Sequence, residues 1–269
     1  MKILFERVFY TIQTIQSHSQ RSIHAVSGNA ALSDPHCPGK NHPLVLAIGT
    51  LEYHSEHLPS GVDGQITEEA LKRLEKRHPE ELILLPPFYY GASSYAVSGP
   101  ENGKASIDID SMAICNFAES LFKGLLEAGF RNINGFVYHQ SENFYQGMPT
   151  DLAFRFAGRR AIFSYLERTR GRGWWGDNSM RNYYEGDNIF DSIRIHALAK
   201  DLGDIFGGDH AGKVETSAMM ELFPHLVHME KHNKDNWYAE SALEATAEFG
   251  KQYMDAIVDK LDELLFGGR

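Results

Sequence analysis

Between Leu46 and Asp63 the chain reads LAIGTLEYHSEHLPSGVD, a stretch dense in side chains that can bind a metal ion. Glu52 and His54 stand two residues apart, His57 follows, and Asp63 lies past the turn-forming Pro59-Ser60-Gly61. Alternate residues of an extended chain face the same side, so Glu52 and His54 can address one metal cluster. Asp63 can be folded back toward them by the turn. Carboxylate and imidazole together are donor types that zinc and manganese use. Glu-x-His alone is a common tripeptide, so the reading needs partners from elsewhere. His139 stands where the apolar run Ile133 to Tyr138 stops. Further on, Gly207-Gly208-Asp209-His210-Ala211-Gly212-Lys213-Val214-Glu215 joins glycine-rich backbone to an imidazole and to a carboxylate opening a helix. The positive end of that helix favours the charge of Glu215.

The elements that must position these groups follow from periodicity. Pro43 to Ile48 is an apolar, strand-like run. A capping-box-like pattern at Thr67 predicts a helix with Ala70, Leu71 and Leu74 on its apolar side, stopped by His78-Pro79. Leu82 to Leu85 is a short buried strand, and Phe88 to Ser98 is a loop of Gly, Ser and aromatics that lets backbone approach a ligand. Ser111 to Ala128 repeats apolar residues at helical spacing, with Gly129 at its end. Thr150 to Arg168 reads as a helix with Leu152, Phe156, Ile162, Phe163 and Leu166 inside, and its arginines as a solvated face or subunit contact. Ala239 to Leu265 reads as one terminal helix. This alternation predicts an α/β domain built on a parallel sheet, whose ligands sit beyond the carboxyl ends of the strands.

Composition narrows the classes. The chain has 269 residues, long enough for one large α/β domain, and a formal charge of −10, which argues against a general nucleic-acid binder. Its two cysteines, Cys37 and Cys115, offer no disulfide framework, so a reducing, cytoplasmic setting is expected. No apolar run approaches the roughly 20 residues that cross a bilayer. Glu6 and Arg7 interrupt the first apolar stretch, so residues 1–42 read as an extended arm and polar loop rather than a signal peptide. His18, His24, His36 and His42 in that region, and His225, His228 and His232 later, are read as surface residues.

The segment E-Y-H-S-E-H-L-P-S-G-V-D resembles the signature of the creatininase (creatinine amidohydrolase) family, approximately E-Q-H-G-x-H-L-P-x-x-T-D. Tyr53, Ser55 and Val62 stand where the usual motif has Gln, Gly and Thr, departures that bear on the substrate more than on the metal. Two further landmarks are similar. Where most of the family carry His-Gly-Gly-Asn, His139-Gln140-Ser141-Glu142-Asn143 resembles the His-x-Glu-Asn of some members, one residue late, and His210-Ala211-Gly212 to Glu215-Thr216-Ser217 resembles the family's His-Ala-Gly-x-x-Glu-Thr-Ser. Tyr90-Gly91-Ala92-Ser93 matches a loop pattern near the family's active site, and Gly171 to Asn188 resembles its aromatic lid region.

This resemblance, over roughly residues 44–225, implies a single-domain three-layer sandwich spanning 1–269. It implies two divalent ions (zinc, manganese or iron) with Asp63 bridging, Glu52 and His139 on one ion, and His54 with Glu215 or Glu142 on the other. It further implies hydrolysis of a non-peptide C–N bond in a small cyclic amide or formamide by a metal-bridging hydroxide. Glu215, His210 and Glu142 are the candidate catalytic groups; Tyr90, Ser93 and Asp209 are candidate substrate contacts. A homo-oligomer, hexameric in the family's manner, is expected, acting on a small molecule with no nucleic-acid or membrane partner. Two alternatives stay open: a hydrolase or isomerase of a cyclic ketone or polyol at the same site, and a non-catalytic binding or assembly member.

Overall fold

The computed structural model describes residues 42–92, 106–139, 149–181, 188–198 and 206–267. Four parallel strands form one sheet in the order β2-β1-β3-β4: β1 is Leu44–Ile48, β2 Ile83–Leu84, β3 Ile133–Val137 and β4 Ile193–Ala197. β1 and β3 are buried along their whole length, as strands covered on both faces must be. The strands pair in step, Leu44 with Ile133 and Ile133 with Ile193, so their carboxyl ends share one edge.

Side-chain alternation sorts β1 between two cores. Val45 and Ala47 face α1 (Val62–Arg77), α4 (Lys213–Leu222) and α5 (Ala247–Phe266). Leu44, Leu46 and Ile48 face α2 (Ser111–Glu127) and α3 (Pro149–Arg170). The result is the expected three-layer α/β sandwich. After β1 the chain crosses to β2 through α1 on one face; it then returns past β1 to β3 through α2 on the other. Strand order therefore reverses between β1 and β3. The two crossover helices diverge there, leaving a crevice at the carboxyl ends where ligands of such sheets bind.

Three helices differ from the sequence expectation. α1 begins at Val62, not Thr67; Thr67 lies inside it and its hydroxyl donates to Asp63 O at 2.8 Å. The capping-box pattern was spurious, because Gly49 and Gly64 let the first turn settle directly on the end of β1. In α3, Leu152, Phe156 and Phe163 are roughly half exposed, while Ala153, Phe154, Ala157, Gly158, Ala161, Ile162 and Leu166 are buried. Small residues let the helix approach the sheet closely, with Leu152, Phe156 and Phe163 turned outward: a Cβ on Gly158 would lie 2.9 Å from Ile193. The single terminal helix is instead a 3₁₀ segment, Trp237–Glu244, followed by α5. Thr246 is extended and separates them, accepting Phe249 N–H at its hydroxyl and donating its own N–H to Ser217 Oγ. Among the described residues no helix is long and apolar enough to cross a membrane.

Candidate metal centre

Three of the crevice's donors follow directly from strand ends. β1 runs out at Ile48, and the extended segment that follows carries Glu52 and His54 inward, pinned where Glu52 N–H donates to Ser60 O at 2.9 Å. β3 ends at Val137, two residues before His139. The other two carboxylates come from first turns of helices, Asp63 from α1 and Glu215 from α4, where the positive helix end favours their charge. Glu52, His54, Asp63, His139, His210 and Glu215 are all buried.

Asp63 lies at the middle. Its Oδ2 is 3.6 Å from His139 Nδ1, which is 3.0 Å from Glu52 Oε2. Its Oδ1 faces the other way, 3.8 Å from His54 Nε2, which is 3.5 Å from Glu215 Oε2. The donors thus fall into the groups Glu52–Asp63–His139 and His54–Asp63–Glu215, which share the aspartate; each can hold a metal ion, and Glu52–His54–His210 is a third such group. Backbone contacts orient the imidazoles. His54 Nδ1 donates to Glu52 O at 3.0 Å, which leaves Nε2 as a lone pair with no protein partner. His210 Nε2 donates to Tyr53 O at 2.7 Å, and its ring stacks on His54 with centroids 4.4 Å apart.

Protonation in the metal-free cluster reports the same demand for positive charge. Burial opposes a charge on His139, yet hydrogen bonds to Asp63 and Glu52 push its pKa up to about 10. Burial works to raise Asp63 too, but the His139 hydrogen bond and the neighbouring imidazoles hold it well below the usual carboxylate range. Glu215 goes the opposite way: burial and then the charges of Asp209 and Asp63 raise it far above a normal glutamate. Burial pushes His54 down, and pushes His210 down to about 4 with help from His54. The imidazolium that Asp63 and Glu52 draw onto His139, and the raised Glu215, both mark a buried pocket that favours positive charge. The donor set and the orphaned His54 Nε2 fit a divalent ion.

Of the other expected residues, Asp209 accepts the N–H of Val214 at 2.6 Å and of Glu215 at 3.3 Å, so it caps α4. Tyr90 is about half exposed and packs edge-on against Phe88. Glu142 and Ser93 lie outside the described residues. Trp174 and Trp175 gather with Phe163 and Phe190 just ahead of β4, at the amino edge of the sheet and away from the crevice. His228 is partly exposed and pairs with Glu230, whereas His232 is tied to Ala239 O and tilted against His57. Thr50 was missed: its hydroxyl donates to Asp63 Oδ2. A threonine directly after a strand-ending glycine was the available signal. Tyr53 and Ser55, where the motif departs from the family pattern, both meet Asn236, whose amide donates to Ser55 Oγ at 2.9 Å and to Tyr53 Oη at 3.4 Å.

The molecule is thus an α/β sandwich with a buried carboxylate–histidine cluster at the switch point of its sheet. The family model described as creatinine amidohydrolase matches residues 35–265, and the chain belongs to the creatininase family. It is 24% identical over 191 residues to a creatinine amidohydrolase of Pseudomonas putida, covering 70% of this chain and 67% of that protein. Among solved structures it resembles a manganese creatininase (18% identity, 92% of this chain and 96% of the other, TM-score 0.60). It also resembles a mutant creatininase of Zn-Zn type (18% identity, 84% and 92%, TM-score 0.59).

Proposed function

We propose that the protein is a metal-dependent amidohydrolase that opens a non-peptide C–N bond in a small cyclic amide or formamide. The observation that carries this reading is the position of Asp63, whose two oxygens face two separate donor groups. On this reading Glu52, Asp63 and His139 hold one divalent ion, and His54, Asp63 and Glu215 hold a second. The Zn-Zn neighbour supports a two-metal site, and the manganese neighbour supports a choice of ions. When bound, paired cations lower the pKa of water and polarise a substrate carbonyl.

The chain's own groups do the rest. Thr50 and the α1 N-terminus keep Asp63 ionised and aligned. His54 is locked with Nε2 unprotonated by its bond to Glu52 O. His210, with Nε2 committed to Tyr53 O, has Nδ1 free to carry a proton toward a leaving nitrogen. Creatinine is the first substrate to try, because the matched relative is named for it. Tyr53 and Ser55 give this chain its own surroundings for a substrate.

The test is a panel of cyclic amides, N-formyl compounds and cyclic ketones, run on zinc- or manganese-loaded protein beside Asp63→Ala. Wild type should turn over a C–N substrate, and the variant should lose bound metal and turnover together. Turnover of ketones alone would move the assignment to the sugar or polyol class. A variant with full metal and full rate would refute the shared aspartate.

A further inference from the structure

We infer that His57 and Thr216 are positioning residues that aim the carboxylate of Glu215, an inference that rests on the metal reading above. Both are completely buried, and they join the loop after β1 to the first turn of α4. His57 Nε2 lies 3.0 Å from Thr216 Oγ1, and that hydroxyl lies 3.3 Å from Ala211 O. A hydroxyl has one proton, so Thr216 donates to the Ala211 carbonyl and accepts the N–H of His57. The N–H of Ala211 in turn donates to Glu215 Oε2 at 2.7 Å, and this oxygen is the one that faces His54 Nε2. The far end of the loop is held where His228 N–H donates to His57 O at 2.8 Å.

Ala211 sits at φ 53°, a left-handed conformation that a residue with a Cβ adopts only when its surroundings hold it. Its carbonyl is held by Thr216 and by the His57 ring, and its N–H donates to Glu215. Without the Thr216 hydroxyl, the His57 ring loses an acceptor and the Ala211 carbonyl loses its Thr216 donor, keeping only the His57 ring beside it in the core. Ala211 is then free to relax, and its N–H swings off the glutamate. The Glu52–Asp63–His139 group has no part in this chain of contacts.

The decisive variants are Thr216→Val, which keeps the shape and removes the hydroxyl, and Thr216→Ser and His57→Gln, which keep the hydrogen-bonding atoms. Zinc stoichiometry and affinity are read by chelator competition, and Ala211 amide exchange by NMR on metal-free protein. Thr216→Val should retain one ion, bind the other about 10- to 100-fold more weakly, and exchange the Ala211 amide at least about tenfold faster. Serine and glutamine should restore both readouts. A valine variant with both affinities and the exchange rate unchanged would overturn the inference. So would equal loss of both ions with general unfolding, since that marks a merely structural role. A wild-type chain that takes up no zinc would overturn the metal reading, and the exchange rate in metal-free protein would still decide the strut.

Discussion

Gly49→Ala offers a sharp test of how the fold aligns the cluster. A Cβ at Gly49 would lie 2.4 Å from Gly64 Cα and 2.5 Å from Gly64 N, both backbone atoms of α1's first turn. Ordinary carbon contacts begin near about 3.5 Å, so the turn must recede by about 1 Å. Asp63 is in that turn and would move with it. Overpacking of this kind costs about 1–3 kcal/mol, or a fall in Tm of about 2–12 °C in a chain of this size. A displacement of about 1 Å at a reacting centre costs about 100-fold in rate. Gly124→Ala is the control: the new Cβ has nothing within 4 Å and lies inside α2, where alanine is favoured by about 1 kcal/mol. Differential scanning fluorimetry, metal content and turnover should therefore part the two variants, Gly49→Ala falling in all three and Gly124→Ala rising in Tm alone. If Gly49→Ala melts with wild type and keeps its metal, the close contact does not set Asp63 and the reasoning fails.

Two further outcomes are expected. Zinc or manganese at about 100 times its Kd should add about 2.7 kcal/mol of stability, so chelation should lower Tm measurably; a Tm indifferent to both would count against metal binding. His196, stacked on Phe136 and bonded to Asn134, has its pKa pushed down to about 4 by burial and by Arg194 and Arg155. The folded state thus rejects a proton that the unfolded chain binds below pH 6.5. The stability that His196 contributes is complete above that pH and is lost as pH falls toward 4, by up to about 3 kcal/mol. His196→Gln keeps the donor to Asn134 without titrating, and urea midpoints across pH 4–7 should flatten in that variant; parallel curves would refute the assignment.

The sequence made the donors legible where their spacing matched strand ends and helix starts. Glu52, His54 and His139 follow apolar runs that had to be buried strands, and Glu215 follows a glycine-rich approach to a helix. Asp63 was identified by motif but misplaced by turn chemistry, since the Thr67 pattern imitated a helix start that the glycine contact had already moved upstream. The outward Phe156 and Phe163 of α3 were unreadable for a related reason. Periodicity registers bulk and polarity, whereas this helix turns its alanines and glycine to the sheet among Phe154, Ile162 and Leu166 and leaves Phe156 and Phe163 outside. The His57–Thr216–Ala211 contacts depend on long-range meetings that leave no local trace.

Asn236 ties together two of the three positions, Tyr53 and Ser55, at which the first motif departs from the family pattern. Ser55 sits at φ 58°, where glycine would be unstrained, and its hydroxyl accepts from the Asn236 amide that also reaches Tyr53. Exchanging Ser55 alone for glycine would ease the backbone and remove an acceptor at once. A change at position 53, 55 or 236 is therefore felt at the other two through a single amide group.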